Sequence, residues 1–162
     1  MIWDCDDLGL VTKGTPEAWA TFSPDGAYRY ALARIWDDHG TMLAVCGLNP
    51  SRADEKVTDP TLSKLLHFTK RDHYGGLLLV NIAAVRATDP SVLVLNPDRD
   101  VVGPHNQEVI RRAMNAPLLA RAVAAWGAPK WKAIRPMIAM ARSAGNRPWH
   151  CFGTTKDGHP RH

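Results

Sequence analysis

The chain of 162 residues has the length of one compact domain, and its 45% hydrophobic and 22% charged residues exclude wholesale disorder and a fibrous repeat. No apolar run approaches the about 18 residues of a membrane span, and the acidic start, residues 1–7, is unlike a basic secretory signal. The net charge of +4 would suit a polyanionic partner without requiring one. We therefore expect one domain over residues 1–162, located in the cytoplasm.

Two strand-like segments lie early in the chain, at residues 28–36 and 41–46. Both are mainly apolar, and the polar stretch between them ends in Gly40, a residue typical of turns. This pattern predicts that the two strands form a hairpin.

A helix and a buried strand are predicted next. Asp59 before Pro60 is typical of a helix N-cap followed by the first helical position, and leucines then recur at helical spacing. The pair Gly75 and Gly76 is predicted to end this helix. The apolar run at residues 77–82 is typical of a strand covered on both faces, so we place it at the sheet centre.

The second half of the chain alternates between helical and strand patterns. A long connection, residues 86–104, carries three prolines and is predicted to be functional because structureless loops of that length are uncommon. A second helix is predicted from Pro104 onward. A strand at residues 118–126, a helix at 131–144 and a short strand at 149–152 follow.

The alternation predicts an α/β fold, a three-layer α/β/α sandwich around a mostly parallel central sheet. Ligands of such sheets bind outside the carboxyl ends of the strands. That rule selects the loops after Cys46, Ile82, Trp126 and Phe152. Polar motifs lie at or near these ends: Gly47-Leu48-Asn49-Pro50-Ser51, Asn81, Trp126-Gly127 and His159-Pro160.

The cysteines and histidines do not predict a metal centre. Cys5, Cys46 and Cys151 are widely spaced and form no Cys-x-x-Cys pair, so we expect packed thiols rather than disulfides or a zinc site. His67 and His73 lack partners at ligand spacing. We expect neither a metal nor an organic cofactor.

The order of the four strand-end motifs resembles the uracil-DNA glycosylase superfamily. Its members place a Gly-x-(Asp or Asn)-Pro segment after an early strand, an Asn at the end of an apolar strand, a Trp-Gly strand end and a late His-Pro segment. A narrower resemblance is to a bacterial and phage family catalogued only as a domain of unknown function. It covers the chain from about Tyr28 and rests on Asn49-Pro50-Ser51, Asp54, Asp59-Pro60, Asn81, Arg86-Ala87-Thr88-Asp89-Pro90 and Gly103-Pro104-x-Asn106.

The superfamily resemblance implies a role for each motif. Asn49 would hold the attacking water beside the sugar C1′, and Asn81 would bind the Watson-Crick edge of an extruded pyrimidine, since an amide both donates and accepts. A hydrogen bond from His159 to the leaving base would strengthen as negative charge develops. The predicted function is therefore a DNA glycosylase-like hydrolase of an N-glycosidic bond, a monomer acting on DNA or a nucleotide.

Two departures from the superfamily alter this prediction. The efficient uracil-excising branch has Asp where this chain has Asn49, and an amide cannot act as a general base. Catalysis is then expected to be slower or to rely on Asp54, Glu55 or Asp59. The same branch has an aromatic residue at the position of Ser51, so the small serine predicts room for a pyrimidine substituted at C5.

The candidate site has catalytic and substrate-binding members. Asn49, His159 and Asp54 are assigned to catalysis, and Gly47, Leu48, Pro50, Ser51, Asn81 and Arg86 are assigned to substrate binding.

Simpler interpretations of the same residues remain open. The loop at residues 47–51 could be only a turn, and Asn81 could only satisfy backbone groups. Arg86 could meet a phosphate or pair with Asp89 or Asp54. Two other functions remain: a non-catalytic module that binds nucleotides or nucleic acid, and a hydrolase of free nucleotides. The absence of an apolar wedge after His159 favours the latter over action on duplex DNA.

Overall fold

The computed structural model describes residues 5–95, 98–128 and 132–162. Within these ranges the elements, in chain order, are β1 (Val11–Thr15), β2 (Ala18–Phe22), β3 (Arg29–Ile35), β4 (Met42–Gly47), α1 (Pro60–Arg71), β5 (Gly76–Asn81), α2 (Val92–Leu95), α3 (Asn106–Met114), β6 (Leu119–Ala124), α4 (Ile134–Ser143) and β7 (Trp149–Cys151). A short 3-10 turn, Asp6–Leu8, precedes β1.

The strands form one mixed sheet in the order β1-β2-β3-β5-β4-β6-β7. Strands β5, β4, β6 and β7 are parallel to one another, whereas β1, β2 and β3 join by antiparallel pairing, with β3 antiparallel to β5. The predicted α/β class with a mostly parallel sheet centre is therefore confirmed.

The predicted hairpin of residues 28–36 and 41–46 is wrong. Both strands exist, as β3 and β4, but β5 lies between them: Leu79 is the register partner of Leu32 on one side and of Val45 on the other. The apolar run of β5 is fully buried, and it takes the central position because such a strand needs neighbours on both edges. The hairpin is instead formed by β1 and β2. Strand β2 pairs with the edge of β3 opposite to β5.

The helices cover both faces of the sheet. Helix α1 packs Leu62 and Leu65 on one face, in a core formed with Leu43, Val45, Leu77 and Leu79. Helices α3 and α4 pack on the opposite face, in a core that includes Ala44, Cys46, Leu78, Val80, Ile110 and Ile134. Alternate residues of β4 and β5 thus enter opposite cores, as the two-residue period of a strand requires, and the result is three layers.

Helix α1 begins as predicted and ends earlier. Asp59 is its N-cap, accepting a 2.8 Å hydrogen bond from the Leu62 amide, with Pro60 at the first helical position. The helix ends at Arg71, so the predicted end at the glycine pair is late. Gly75 serves another purpose: a Cβ there would lie 2.5 Å from the Asp37 carbonyl oxygen, so the glycine permits two loops to touch.

The elements predicted for the second half of the chain are largely confirmed, as α3, β6, α4 and β7. The long connection contains α2 and a turn in which Asp89 accepts from the Ser91 amide at 2.9 Å, while Pro97 lies outside the described residues. The start predicted for the last helix, residue 131, also lies outside them. Cys5 and Cys46 are buried thiols, but Cys151 is exposed, contrary to expectation, because β7 is an edge strand. No described helix is long and apolar enough to cross a membrane.

Candidate functional site

The site lies at the point where the strand connections diverge. The chain leaves β4 for α1 on one face of the sheet and leaves β5 for α3 on the other face. Ligands of open α/β sheets bind at such a switch point. Gly47 and Asn81, the last residues of these strands, are register partners there.

A cleft of about 470 Å³ opens at this point between the sheet and α1. Its volume falls in the range typical of small-molecule sites. Val45, Leu79 and Ala125 contribute from the sheet, and Thr61, Lys64, Leu65 and Phe68 contribute from one face of α1. The other described lining residues are Arg29, Gly47, Leu48, Asn49, Ser51, Asp59, Asn81, Ala87, Thr88, Pro90, Phe152, Arg161 and His162.

Asn81 brings a buried amide to the cleft. The residue is only 3% exposed, and its Nδ2 has no hydrogen-bond partner among the described residues. A buried polar group left without a partner costs about 1–3 kcal/mol. Such a donor beside an open cleft is therefore suited to a ligand acceptor, and Gly47 leaves the space that the Asn81 Oδ1 occupies.

Asn49 ties its loop to the segment after β5. Its Nδ2 donates to the Ala87 carbonyl at 2.8 Å and to the Pro50 carbonyl at 3.2 Å. Three backbone hydrogen bonds join the same segments, from the amides of Ile82, Ala83 and Ala87 to the carbonyls of Gly47, Leu48 and Pro50. Because Nδ2 is engaged, the orientation of the amide is set, and Oδ1 has no partner among the described residues.

Asn106 supports the end of β5 from the opposite face. This fully buried side chain donates from Nδ2 to the carbonyls of Asn81, at 2.9 Å, and Ile82, at 3.2 Å. It sits at the start of α3, so the helix and the strand end are linked directly. Asn106 therefore fixes the backbone at the end of β5, from which the Asn81 side chain projects.

Arg29 places a buried cation in the cleft wall, and sequence reasoning missed it. It is 2% exposed, its Nη1 donates to the Ala53 carbonyl, and its Nε has no partner within the described chain. Burial lowers its pKa to about 10, partly offset by the charge of Asp59, so the guanidinium remains protonated at neutral pH. The sequence did hold one indication of this buried cation: Arg29 is a charged residue inside a mainly apolar strand segment.

A model of the family described as a protein of unknown function, DUF1643, matches residues 29–162. The chain belongs to the DUF1643 family. The match begins at Arg29, so every described residue that lines the cleft falls within it. The comparison with curated proteins and the comparison with solved structures both find no match. The narrower resemblance, to a family of unknown function, is thereby confirmed.

The structure of this DUF1643 protein brings five of the nine predicted site residues to the cleft: Gly47, Leu48, Asn49, Ser51 and Asn81. Pro50 is buried beside them without being one of the described lining residues. Asp54 instead holds a local turn, accepting from the amides of Val57 at 2.7 Å and Lys56 at 2.8 Å. Burial, the largest single influence, raises the pKa of the Asp54 carboxyl, but these hydrogen bonds together with the charges of Arg86 and Arg34 lower it overall.

Arg86 and His159 also lie apart from the described cleft lining. The Arg86 guanidinium stacks 5.2 Å from the ring centre of Phe22 and forms no ion pair with Asp54 or Asp89. His159 is half-buried and pairs through its backbone with Thr155. Two later residues of the same segment, Arg161 and His162, line the cleft. The roles predicted for Arg86 and His159 stay predictions.

An aromatic pair at the cleft was also missed. The rings of Phe68 and Phe152 lie 5.4 Å apart at 32°, and Phe152 is 42% exposed. An exposed ring beside a cleft offers a face on which a base can stack. The strand-end rule selected the loop after Phe152, and this was the available signal.

The strand-end motif at Trp126 and Gly127 has a packing role. Trp126 is buried and meets the Trp149 ring edge-on at 5.4 Å, and Gly127 has a positive φ of 79°. Neither is among the described lining residues. The described part of the chain contains no group of three or more His, Cys, Asp or Glu side chains that could hold a metal ion.

Proposed function

We propose that this DUF1643 protein is a glycosylase-like hydrolase that cleaves the N-glycosidic bond of an extruded pyrimidine in DNA. The observation that carries the proposal is the buried Asn81 amide, with its unpartnered Nδ2, in a cleft that Asn49 also lines. The order of the strand-end motifs, which resembles the uracil-DNA glycosylase superfamily, supports it.

Asn81 recognises the base. Its Nδ2 donates to a carbonyl oxygen of the pyrimidine, and Oδ1 accepts from the adjacent ring N–H, a pair of contacts that a carboxylate cannot make. The exposed ring of Phe152 stacks on the base face. Ser51, which lines the cleft with a small side chain, leaves room for a substituent at C5.

Asn49 positions the water. Because its Nδ2 is held by Ala87 and Pro50, Oδ1 is the atom that accepts a hydrogen bond from water. An amide cannot remove the water proton, so departure of the base precedes the attack on C1′, and the proton passes to the leaving base or to solvent. Slow turnover follows from this arrangement.

Charge on the leaving base is stabilised by a donor from the segment at residues 159–162. His159 is the residue that the resemblance implies, and Arg161 and His162 are the members of this segment that line the cleft. Base release by His159→Ala and by His162→Ala, measured side by side, distinguishes the two histidines, since the donor is the one whose loss slows release.

The test is base release from oligonucleotides that carry uracil, mismatched thymine or a 5-substituted pyrimidine, measured by chromatography and mass spectrometry. Wild type should release base, and Asn81→Ala should release none and bind the oligonucleotide more weakly. Asn146→Ala, an exposed amide outside the cleft, is the matched control. The proposal is overturned if wild type releases no base and Asn81→Ala binds as wild type does.

The same assay separates the two other functions. Tight binding of the base that depends on Asn81, without release from any substrate, would assign a non-catalytic binding module. Release from pyrimidine nucleotides but from no oligonucleotide would assign a hydrolase of free nucleotides.

A further inference from the structure

The buried guanidinium of Arg29 has donors that the described protein residues do not use. Only Nη1 is engaged, by the Ala53 carbonyl; Nε is buried without a partner, and Nη2 forms no hydrogen bond to the described residues. Arg29 nevertheless lines the cleft. A buried cation is normally paired and fully hydrogen-bonded, so these spare donors point to a ligand.

Asp59, which lines the same cleft, does not form an ion pair with this cation. Asp59 uses Oδ1 to accept from the Leu62 amide at 2.8 Å and Oδ2 to accept from the Ala53 amide at 3.2 Å. No Arg29–Asp59 contact within 4.0 Å occurs in the described structure. Both Asp59 carboxylate oxygens are thus used to cap α1 and to hold the loop before it, so Asp59 does not satisfy the Arg29 guanidinium donors.

Other positive side chains also line the cleft. Lys64 contributes from the second turn of α1, and Arg161 contributes from beside Phe152, where its amide donates to the Gly153 carbonyl at 2.9 Å. Asp59 is the single carboxylate side chain among the described lining residues. Because cations outnumber it, the cleft favours an anionic group.

The buried guanidinium and the aromatic pair lie at different positions along α1. Thr61 and Phe68 are seven residues apart, about 10 Å along the helix axis. Arg29 lies near the N-terminal end of this wall, since it donates to the Ala53 carbonyl while the Ala53 amide donates to Asp59. The aromatic pair Phe68 and Phe152 lies further along the helix. A ligand with an anionic part and a flat aromatic part fits this arrangement.

We propose that Arg29, with Lys64, forms a binding subsite for a phosphoryl group of the substrate nucleotide. The proposal rests on the proposed function for the identity of the rest of the ligand. A terminal monophosphate of a nucleotide and an internal phosphodiester of DNA share this chemistry. In either case a tetrahedral oxyanion accepts from the guanidinium fork, with Lys64 as a point charge.

Calorimetric titration of thymidine, thymidine 5′-monophosphate and inorganic phosphate into the purified protein tests the subsite. The monophosphate should bind at least about ten-fold more tightly than thymidine, as charge-assisted hydrogen bonds require. Arg29→Lys and Lys64→Gln should bring this ratio toward one, and Lys56→Gln, an exposed lysine outside the described lining, should not. Circular dichroism checks that each variant folds. If Arg29→Lys does not fold, Lys64→Gln still tests the subsite, because Lys64 is at an exposed position.

The subsite is overturned if wild type binds thymidine and its monophosphate equally, or if both cleft variants keep the wild-type ratio. Failure of the proposed function gives a different result. In that case inorganic phosphate binds in an Arg29-dependent way, but thymidine does not bind. The reverse result overturns the subsite alone: wild type then binds thymidine and its monophosphate equally, while Asn81→Ala loses thymidine binding.

An oligonucleotide with an internal target base identifies the source of the phosphoryl group. If Arg29→Lys weakens binding of the oligonucleotide, the subsite takes a phosphodiester. If it weakens binding of the monophosphate alone, the subsite takes a terminal phosphate. If it weakens neither, the subsite is overturned.

Discussion

A Cβ atom on Gly47 would lie 2.8 Å from Oδ1 of Asn81. The two residues are register partners at the carboxyl ends of adjacent parallel strands, so the absence of a side chain on one makes room for the amide of the other. Asn81 can keep its place in the cleft wall because residue 47 is glycine.

Gly47→Ala should therefore impair ligand binding more than folding. The Asn81 amide, which is the flexible end of a side chain, must move away from the new methyl group. We expect pyrimidine nucleoside affinity to fall about ten-fold or more, the loss of one or two hydrogen bonds, with little change in melting temperature. Calorimetric titration of Gly47→Ala, Asn81→Ala and the double variant measures the coupling. Strictly additive losses would show that Gly47 does not act through Asn81.

Asn49→Asp should destabilise the protein. The variant places a carboxylate oxygen against the Ala87 carbonyl, where the amide now donates at 2.8 Å. We expect a loss of about 1–3 kcal/mol in the free energy of unfolding at pH 7, measured with urea. Asn49→Ala, which loses the hydrogen bond without adding a charge, should lose less. A variant with Asp at this position that is as stable as wild type would show that Asn49 is not required for loop packing.

Asn106→Ala should weaken both folding and binding. It leaves the buried carbonyls of Asn81 and Ile82 without their donor, at about 1–3 kcal/mol of stability. The freed strand end should also lower nucleoside affinity. Urea unfolding and calorimetric titration are the measurements, with Asn115→Ala, an exposed helix-end amide, as the control. Unchanged nucleoside affinity in a folded variant would remove Asn106 from the positioning of Asn81.

Phe152→Ala should lower ligand affinity and, because the ring packs on Phe68, reduce stability by only about 1 kcal/mol. The ring is 42% exposed and lines the cleft, and stacking of an aromatic ring on a base is worth about 1–3 kcal/mol. The expected result is a loss of roughly ten-fold or more in nucleoside affinity. Trp36→Ala removes an aromatic ring that is 39% exposed outside the described cleft lining, and it should bind as wild type does. Equal effects of the two substitutions would contradict the stacking role.

The stability contributed by Glu108 should depend on pH. Hydrogen bonds from Arg111 and Arg112 lower its pKa to about 2. Because the pKa in the folded protein is below the ordinary value of 4.5, this stability is present above about pH 4.5 and is lost as pH falls toward 2. The side chain is one-third exposed, so Glu108→Gln should lose only about 1 kcal/mol or less at pH 7.

Urea unfolding of wild type and Glu108→Gln at pH 7, 4.5 and 3 measures this dependence, with the same pair in an Arg111→Gln background as the control. The difference between the paired proteins should shrink with falling pH and should be smaller in the control background. A difference that is constant from pH 7 to pH 3 would contradict the ion-pair origin.

Local patterns predicted much of the fold because their causes are local. The Asp59 and Pro60 start of α1 follows from capping and from the fixed φ of proline, which involve a few neighbouring residues. The burial of β5 follows from its apolar composition. Strand pairing is different, since β5 enters between β3 and β4 through contacts made across more than thirty residues of chain. The predicted hairpin failed for that reason.

The sequence by itself determined the fold class and the presence of Gly47, Asn49, Ser51 and Asn81 near one edge of the sheet, because parallel strands bring their carboxyl ends together. Only the tertiary structure decided which polar residues enter the cleft. It buried Arg29 there, engaged Asp54 in a turn, and placed His162 rather than His159 among the described lining residues. Burial and partner choice depend on segments far apart in the chain, and periodicity carries no information about them.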